Sequence, residues 1–416
     1  MTSDFTLVFL SFFSLTLLVR LWLKWRHIAF IAAHRAAVPA EFAGRIALPA
    51  HQKAADYTID RCRSAVWGIL IEAALLLALT LGGGLTLLHG VWSPHLAGLP
   101  YGVAMIVSVL AISGLIDLPL SLYRQFVIET RHGFNRMTLG LFFTDLTKQT
   151  LLGLAIGVPV ILAVLWLMGA MGQYWWLYVW LFWSAFNLLI MFVYPTWIAP
   201  LFNKFSPLED GDMKSRIEAL LIRCGFRSSG LFVMDGSKRS SHGNAYFTGF
   251  GDNKRIVFFD TLLSRLEGPE IEAVLAHELG HFRRKHVLKH MALSFAGSLV
   301  FLWLLGQLIE APWFYAGLGV AAQSTALALI LFFLVMPVFT FPFSPLSSYL
   351  SRRHEFEADA YAAEHAEAAD LVQALVKLYQ DNASTLTPDP LHSLFHDSHP
   401  PATQRIAHLQ QLGKPA

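Results

Sequence analysis

The chain is poor in charge and nearly devoid of cysteine, and both shortages narrow what it can be. Only 14% of its 416 residues are charged, while 55% are hydrophobic. Its mean hydropathy is +0.49. Soluble domains carry about 25% charged residues, so a membrane protein is expected. Cys62 and Cys224 are the only cysteines. Two thiols exclude a disulfide framework and cannot alone hold a structural zinc. The formal net charge of +2 singles out no partner class, and no nucleic-acid partner is expected. The first apolar stretch lacks the basic segment that opens a signal peptide, and it ends in Lys24, Trp25 and Arg26. Such a stretch is retained as a membrane helix, with Arg20 near its end placed to snorkel. The sequence contains no internal repeat and no low-complexity run.

Seven apolar stretches are long enough to cross a bilayer, which takes about 20 residues. They are Phe5–Leu23, Ala65–His89, Tyr101–Leu122, Thr150–Met171, Tyr174–Pro200, His290–Ile309 and Thr325–Phe343. Basic residues crowd alternate connections. Lys24, Arg26, Arg35, Arg45, Lys53, Arg61 and Arg63 lie between the first two stretches, and Arg124, Arg131, Arg136 and Lys148 between the third and fourth. Residues 90–100, 172–173 and 310–324 contain no Lys or Arg. By the positive-inside rule this alternation puts the N-terminus outside and the C-terminus in the cytosol. Glu72, Asp117, Asp145 and Gln149 lie within or near the spans. Buried charge is costly in hydrocarbon, so Glu72 either pairs with a basic residue near the interface or faces a water-filled chamber. Gly82-Gly83-Gly84 is expected to let span two approach its neighbours closely, and Pro159 and Pro337 to kink spans four and seven.

Residues 201–289 have the composition of a soluble α/β unit. Asp212–Cys224 has amphipathic helical spacing. Leu231–Met234, Asn244–Phe250 and Arg255–Asp260 read as strands, with a turn at Asp252-Asn253. Gly268-Pro269-Glu270 is a helix start. Beyond span seven, helices are expected from Arg353 to His365, Ala368 to Gln380 and Arg405 to Leu412, with 382–400 as loop. The chain therefore divides into 1–200 (spans one to five), 201–289, 290–345 (spans six and seven) and a C-terminal segment, 346–416.

The chemistry centres on His277-Glu278-Leu279-Gly280-His281. Histidines four apart share one helix face and can grip one zinc ion, with Glu278 aimed at its water. The plainer reading is a surface helix with solvated histidines. A catalytic zinc needs a third protein ligand and an open position. Glu355 is the choice, because its helix follows span seven on the same side of the membrane. Asp359, one turn on, either orients a ligating histidine or is itself the third ligand; spacing alone does not separate the two. Glu278 would act as general base and acid. His399 and Arg405, on a late cytosolic segment, are candidates to stabilise the developing oxyanion. His51, His89 and His392 read as surface residues.

Several further stretches carry a likeness to a known family. They are Glu129 with Gly133-Phe134-Asn135, Pro200–Phe205, Asp235–His242, Asn244-Ala245-Tyr246, the zinc helix, Ser351–Phe356 with Ala358-Asp359, and Ser398–Pro401 with Arg405-Ile406. In this order they resemble the CAAX prenyl endoproteases, integral-membrane zinc metalloproteases. The resemblance implies a mainly α, polytopic seven-helix membrane protein enclosing a chamber, with a cytosolic zincin-like α+β metalloprotease domain. It implies one Zn2+ per chain on His277, His281 and Glu355, with Asp359 behind them and His399 and Arg405 lining the centre. It further implies an edge strand at Asn244 and Ala245 to which an extended substrate adds. The expected partners are peptide substrates, lipidated or otherwise membrane-associated, and membrane lipids, with the chain a monomer. The ending Gly413-Lys414-Pro415-Ala416, without a dilysine, and the short extracytosolic loops suggest a bacterial inner-membrane member. Two alternatives stand beside this one: a heat-shock-type quality-control membrane protease, and a non-catalytic scaffold or lipid-binding protein, against which the intact Glu278 argues.

Overall fold

A computed structural model describes residues 2–248 and 253–413. Among the described residues, seven helices are long and apolar enough to cross a membrane: Thr2–His34, Leu48–Leu79, Gly98–Arg131, Leu139–Ala170, Gly172–Leu201, His286–Leu308 and Thr325–His365. All seven expected spans are present. Several run well beyond the bilayer. The last has 41 residues, roughly 60 Å of helix against about 30 Å of hydrocarbon, so its second half projects from the membrane.

The spans form a closed ring, each touching the next, with span seven returning to span one. One end of the ring is plugged. Phe9, Leu79, Leu85, Met105, Leu165, Trp175, Leu305, Tyr315 and Leu327 join in one apolar core, all from the same end of their helices. The opposite end carries the second core, that of the zinc domain. Between them the spans are loosely packed: only 11% of the most apolar window of span four, and 6% of that of span five, is buried. Spans four and five expose most of their surface, and a cavity of about 810 Å³ lies between them.

Glu72 has the basic partner expected of it. It pairs with Arg20 at 3.0 Å, and the two line a cavity of about 600 Å³ between spans one, two, three and seven. Arg20 is thus the counter-ion of Glu72. The second span ends earlier than expected. Its helix stops at Leu79, where Thr80 leaves the helical region at ψ −100°, and Gly83 then takes a left-handed conformation at φ 79° to start the next helix. The glycines lie beyond the span instead of packing it, and a separate helix, Gly84–Trp92, follows.

The zinc domain has a four-stranded sheet: β1 Phe205–Pro207, β2 Arg227–Met234, β3 Ala245–Thr248 and β4 Asn253–Phe259. The order is β1-β2-β4-β3. β2 and β4 are parallel, and both outer strands are antiparallel to their neighbours. β3 is therefore an edge. Gly249, Phe250, Gly251 and Asp252, expected in its distal part and turn, lie outside the described residues. Ile256, Phe258 and Leu231 pack on Ile271, Leu275 and Leu279 of the helix Gly268–Arg283.

Two other expectations are corrected. The 382–400 segment contains a helix, Pro390–His396, capped by Asp389. Its His392 is buried and stacks on His27 at 3.8 Å. His51 is also buried, with Nε2 3.0 Å from the His34 carbonyl, and His89 bonds the Tyr101 hydroxyl.

Candidate active site

The helix Gly268–Arg283 carries the two histidines. It starts with a capping box: the Glu267 amide donates to Glu270, and Glu267 accepts from the first turn. Lys377 holds buried Glu270 at 2.7 Å, which fixes the helix to its neighbour Ala368–Asp381. Gly280 lets the zinc helix press against the helix Ser344–His365. A Cβ there would lie 3.0 Å from Ala358 Cα and 3.1 Å from its carbonyl oxygen. This close approach brings Glu355 to the histidines.

His277 Nε2 and His281 Nε2 are 3.2 Å apart. Glu355 Oε2 is 3.5 Å from the first and Oε1 3.4 Å from the second. Zinc–ligand bonds of about 2.0–2.1 Å at tetrahedral angles put ligand atoms about 3.3–3.4 Å apart. Glu355 meets each histidine nitrogen at about this distance, through a different oxygen each time, and one ligand atom from each of the three residues lies within 4.8 Å of the others. Glu355 Oε2 is moreover buried without a hydrogen-bond partner, as an acceptor awaiting a cation is. The residues fit a zinc ion.

Asp359 is separated from this triangle. It is fully buried and takes the far side of His277, Oδ1 lying 2.8 Å from Nδ1. Arg405 donates to both Asp359 oxygens, Nε at 2.9 Å and Nη2 at 2.5 Å, and its Nη1 lies 3.5 Å from Glu355. Burial alone would lower both His277 and Arg405. For His277, hydrogen bonds to Asp359 and Glu355 outweigh it and raise the pKa to about 9 in the metal-free protein. For Arg405, attraction to Asp359 holds the guanidinium firmly charged.

His399 stands at the open side, largely exposed, with Nε2 3.5 Å from Glu355 Oε1. Arg352 anchors its segment by donating to the Ser393 and Asp397 carbonyls. Glu278 is half-buried beside the ligands. Among the described residues none hydrogen bonds or pairs with it, so its carboxylate is available. Asn244 precedes edge strand β3, its side chain accepting from the Ala245 amide at 2.8 Å. Phe247 of that strand packs on Phe282 of the zinc helix. Sequence reasoning missed His286 and Glu357, which touch His281 and each other in turn.

The zinc domain is fastened to the ring by the remaining motif residues. Arg239 pairs with Asp145 at 2.8 Å and bonds Asn203. Asn135 bridges to Ser240. Glu129 accepts from the Tyr57 hydroxyl and lies 3.5 Å from His242.

Comparison with known proteins agrees with this geometry. Residues 27–204 match the family described as CAAX prenyl protease N-terminal, five membrane helices, and 207–412 match peptidase family M48. CAAX prenyl protease 1 homolog of Arabidopsis thaliana is 41% identical over 73% of this chain and 72% of its own length. The Caenorhabditis elegans homolog is 34% identical over 93% and 94%. The chain belongs to the CAAX prenyl protease family. The crystal structure of S. mikatae Ste24p superposes with a TM-score of 0.90 at 30% identity, covering 97% of this chain and 98% of that one. The protein is thus an integral, multi-pass membrane metalloendopeptidase.

Proposed function

We propose that the protein cleaves peptide bonds near the C-terminus of CAAX-type, prenylated or otherwise membrane-associated substrates, using one zinc ion held by His277, His281 and Glu355. The convergence of one ligand atom from each of these three residues, all within 4.8 Å of one another, carries the reading. Zinc bound there lowers the pKa of water to about 7 and polarises a carbonyl. Glu278, without a partner among the described residues, takes the proton of the attacking water and passes it to the leaving amine. His399, exposed on the open side, donates from Nε2 to the developing oxyanion. Asp359 accepts from His277 Nδ1 and thereby presents Nε2 to the metal. Arg405 is committed to Asp359 and Glu355, so its role is to position the ligands rather than to touch the oxyanion.

The substrate adds along the free edge of β3 from Asn244 and Ala245, where main-chain pairing holds it extended beside the zinc helix. The basic connections support a centre on the cytosolic side, and the short opposite loops favour a bacterial inner membrane. The chain acts as a monomer, since the ring closes on itself. Seven spans and a match along nearly all of Ste24p favour this activity over that of the shorter heat-shock proteases.

The test is cleavage of two matched peptides ending in Cys-aliphatic-aliphatic-X, one farnesylated and one not, with cut sites read by mass spectrometry. Cleavage after the cysteine in the prenylated peptide alone is expected. Equal cleavage of both at scattered sites would overturn the substrate assignment.

A further inference from the structure

We infer that His286 is a positioning residue of the metal centre: it fixes the tautomer and orientation of His281 and is itself fixed by Glu357. The inference rests on the zinc site proposed above and deepens it. His281 turns Nε2 toward His277 and Glu355. Its other nitrogen, Nδ1, lies 3.0 Å from Nδ1 of His286. Nε2 of His286 lies 3.0 Å from Glu357 Oε2.

The hydrogen positions follow from the chemistry. A ligating nitrogen carries no proton, so His281 bears its hydrogen on Nδ1. His286 Nδ1 must then accept it. The single proton of a neutral His286 sits on Nε2, where it is donated to Glu357. Each link has one donor and one acceptor, and the chain ends on a carboxylate held by Arg353 at 3.2 Å, with Lys289 at 3.9 Å. His277 leans on Asp359 directly; His281 leans on Glu357 through one intervening imidazole.

The backbone is built to put His286 there. The zinc helix stops at Arg283, and Lys285 adopts a left-handed conformation at φ 57°. The chain thereby breaks its helical path, and His286, first residue of span six, turns back to His281. It is only 2% exposed. Its ring stacks on His354 at 4.0 Å, next to Glu355. His286 thus ties the helix that carries two ligands to the helix that carries the third.

The experiment compares zinc affinity, by competition with a chromogenic chelator, and the visible spectrum of the cobalt-substituted protein, in full-length wild type, His286→Phe and His286→Asn. Phe keeps the ring and its stacking but accepts no hydrogen bond. Asn places an acceptor near the position of Nδ1. His286→Phe is expected to weaken zinc 10–100-fold and to alter the cobalt bands, with the metal-free melting midpoint little changed; His286→Asn is expected to restore most of the affinity. Wild-type affinity and spectrum in His286→Phe would overturn the inference. So would equal weakening in both variants together with a lower metal-free midpoint, which marks a packing role. If His286→Phe does not fold, Glu357→Met carries the test, with several-fold weaker zinc expected and an unchanged affinity refuting it. Wild-type protein that takes up no zinc would instead overturn the proposed site itself.

Discussion

Replacing Asp359 by Asn isolates the part of the site that touches neither metal nor substrate. The carboxylate is fully buried and receives two N–H groups from Arg405 and one from His277. At a charge separation of about 4 Å and an effective dielectric of about 20, the Arg405 attraction amounts to about 4 kcal/mol. Unpairing a buried arginine costs about 3–5 kcal/mol by another route. Glu355, 3.5 Å from Nη1, retains part of the attraction, so a loss of about 3 kcal/mol is expected. Spread over the 416 residues of the chain, that lowers the melting midpoint by roughly 3–4 °C. Zinc affinity should fall 10–100-fold, because Asn holds His277 less firmly. Melting in detergent with and without zinc, and chelator competition, measure the two effects. Adding Arg405→Met removes the unpaired charge, and a coupling of about 2 kcal/mol between the two changes is expected. Unchanged melting and unchanged zinc affinity in Asp359→Asn would refute the reasoning.

Two other perturbations follow from the same geometry. Gly280→Ala puts a Cβ about as close to the Ala358 backbone as atoms can come; it should cost about 1–3 kcal/mol and, by parting the helices, weaken zinc binding, both measurable as above. In the metal-free protein His277 holds its proton up to about pH 9, and zinc must displace it. Apparent zinc affinity should therefore fall about tenfold for each unit of pH below that value, with at least one proton released per zinc bound near neutrality. A titration showing no pH dependence and no proton release would contradict this.

Much of the site was legible because its residues obey local rules. The histidines four apart announce a shared helix face, and the low charge with alternating basic loops announces seven spans. Glu355 and Asp359 were not separable, since residues four apart on one helix point the same way. Only the packing shows that one reaches both Nε2 atoms while the other takes Nδ1 of His277. His392 was misread because its burial comes from span one, 362 residues away from its cap Asp389. The helix that carries it did leave a signal: Asp389-Pro390 is a capping residue followed by proline at the first helical position. His286 left none. Its place depends on a left-handed lysine that no periodicity foretells. β1 was missed for a related reason, being three residues long and ending in a proline that only an edge strand tolerates.

The account's central claim is that hydrolysis occurs at a zinc held by His277, His281 and Glu355 with Glu278 moving the proton. The most direct measurement is zinc content and peptide cleavage, side by side, for wild type, chelator-stripped wild type, the stripped protein given zinc again, and Glu278→Gln. The account predicts one zinc per chain in both wild type and Glu278→Gln. It predicts cleavage in wild type, lost on stripping and restored by zinc, and a fall of about 10²–10⁴-fold or more in the variant. Cleavage that persists in Glu278→Gln, or in protein free of metal, would contradict it.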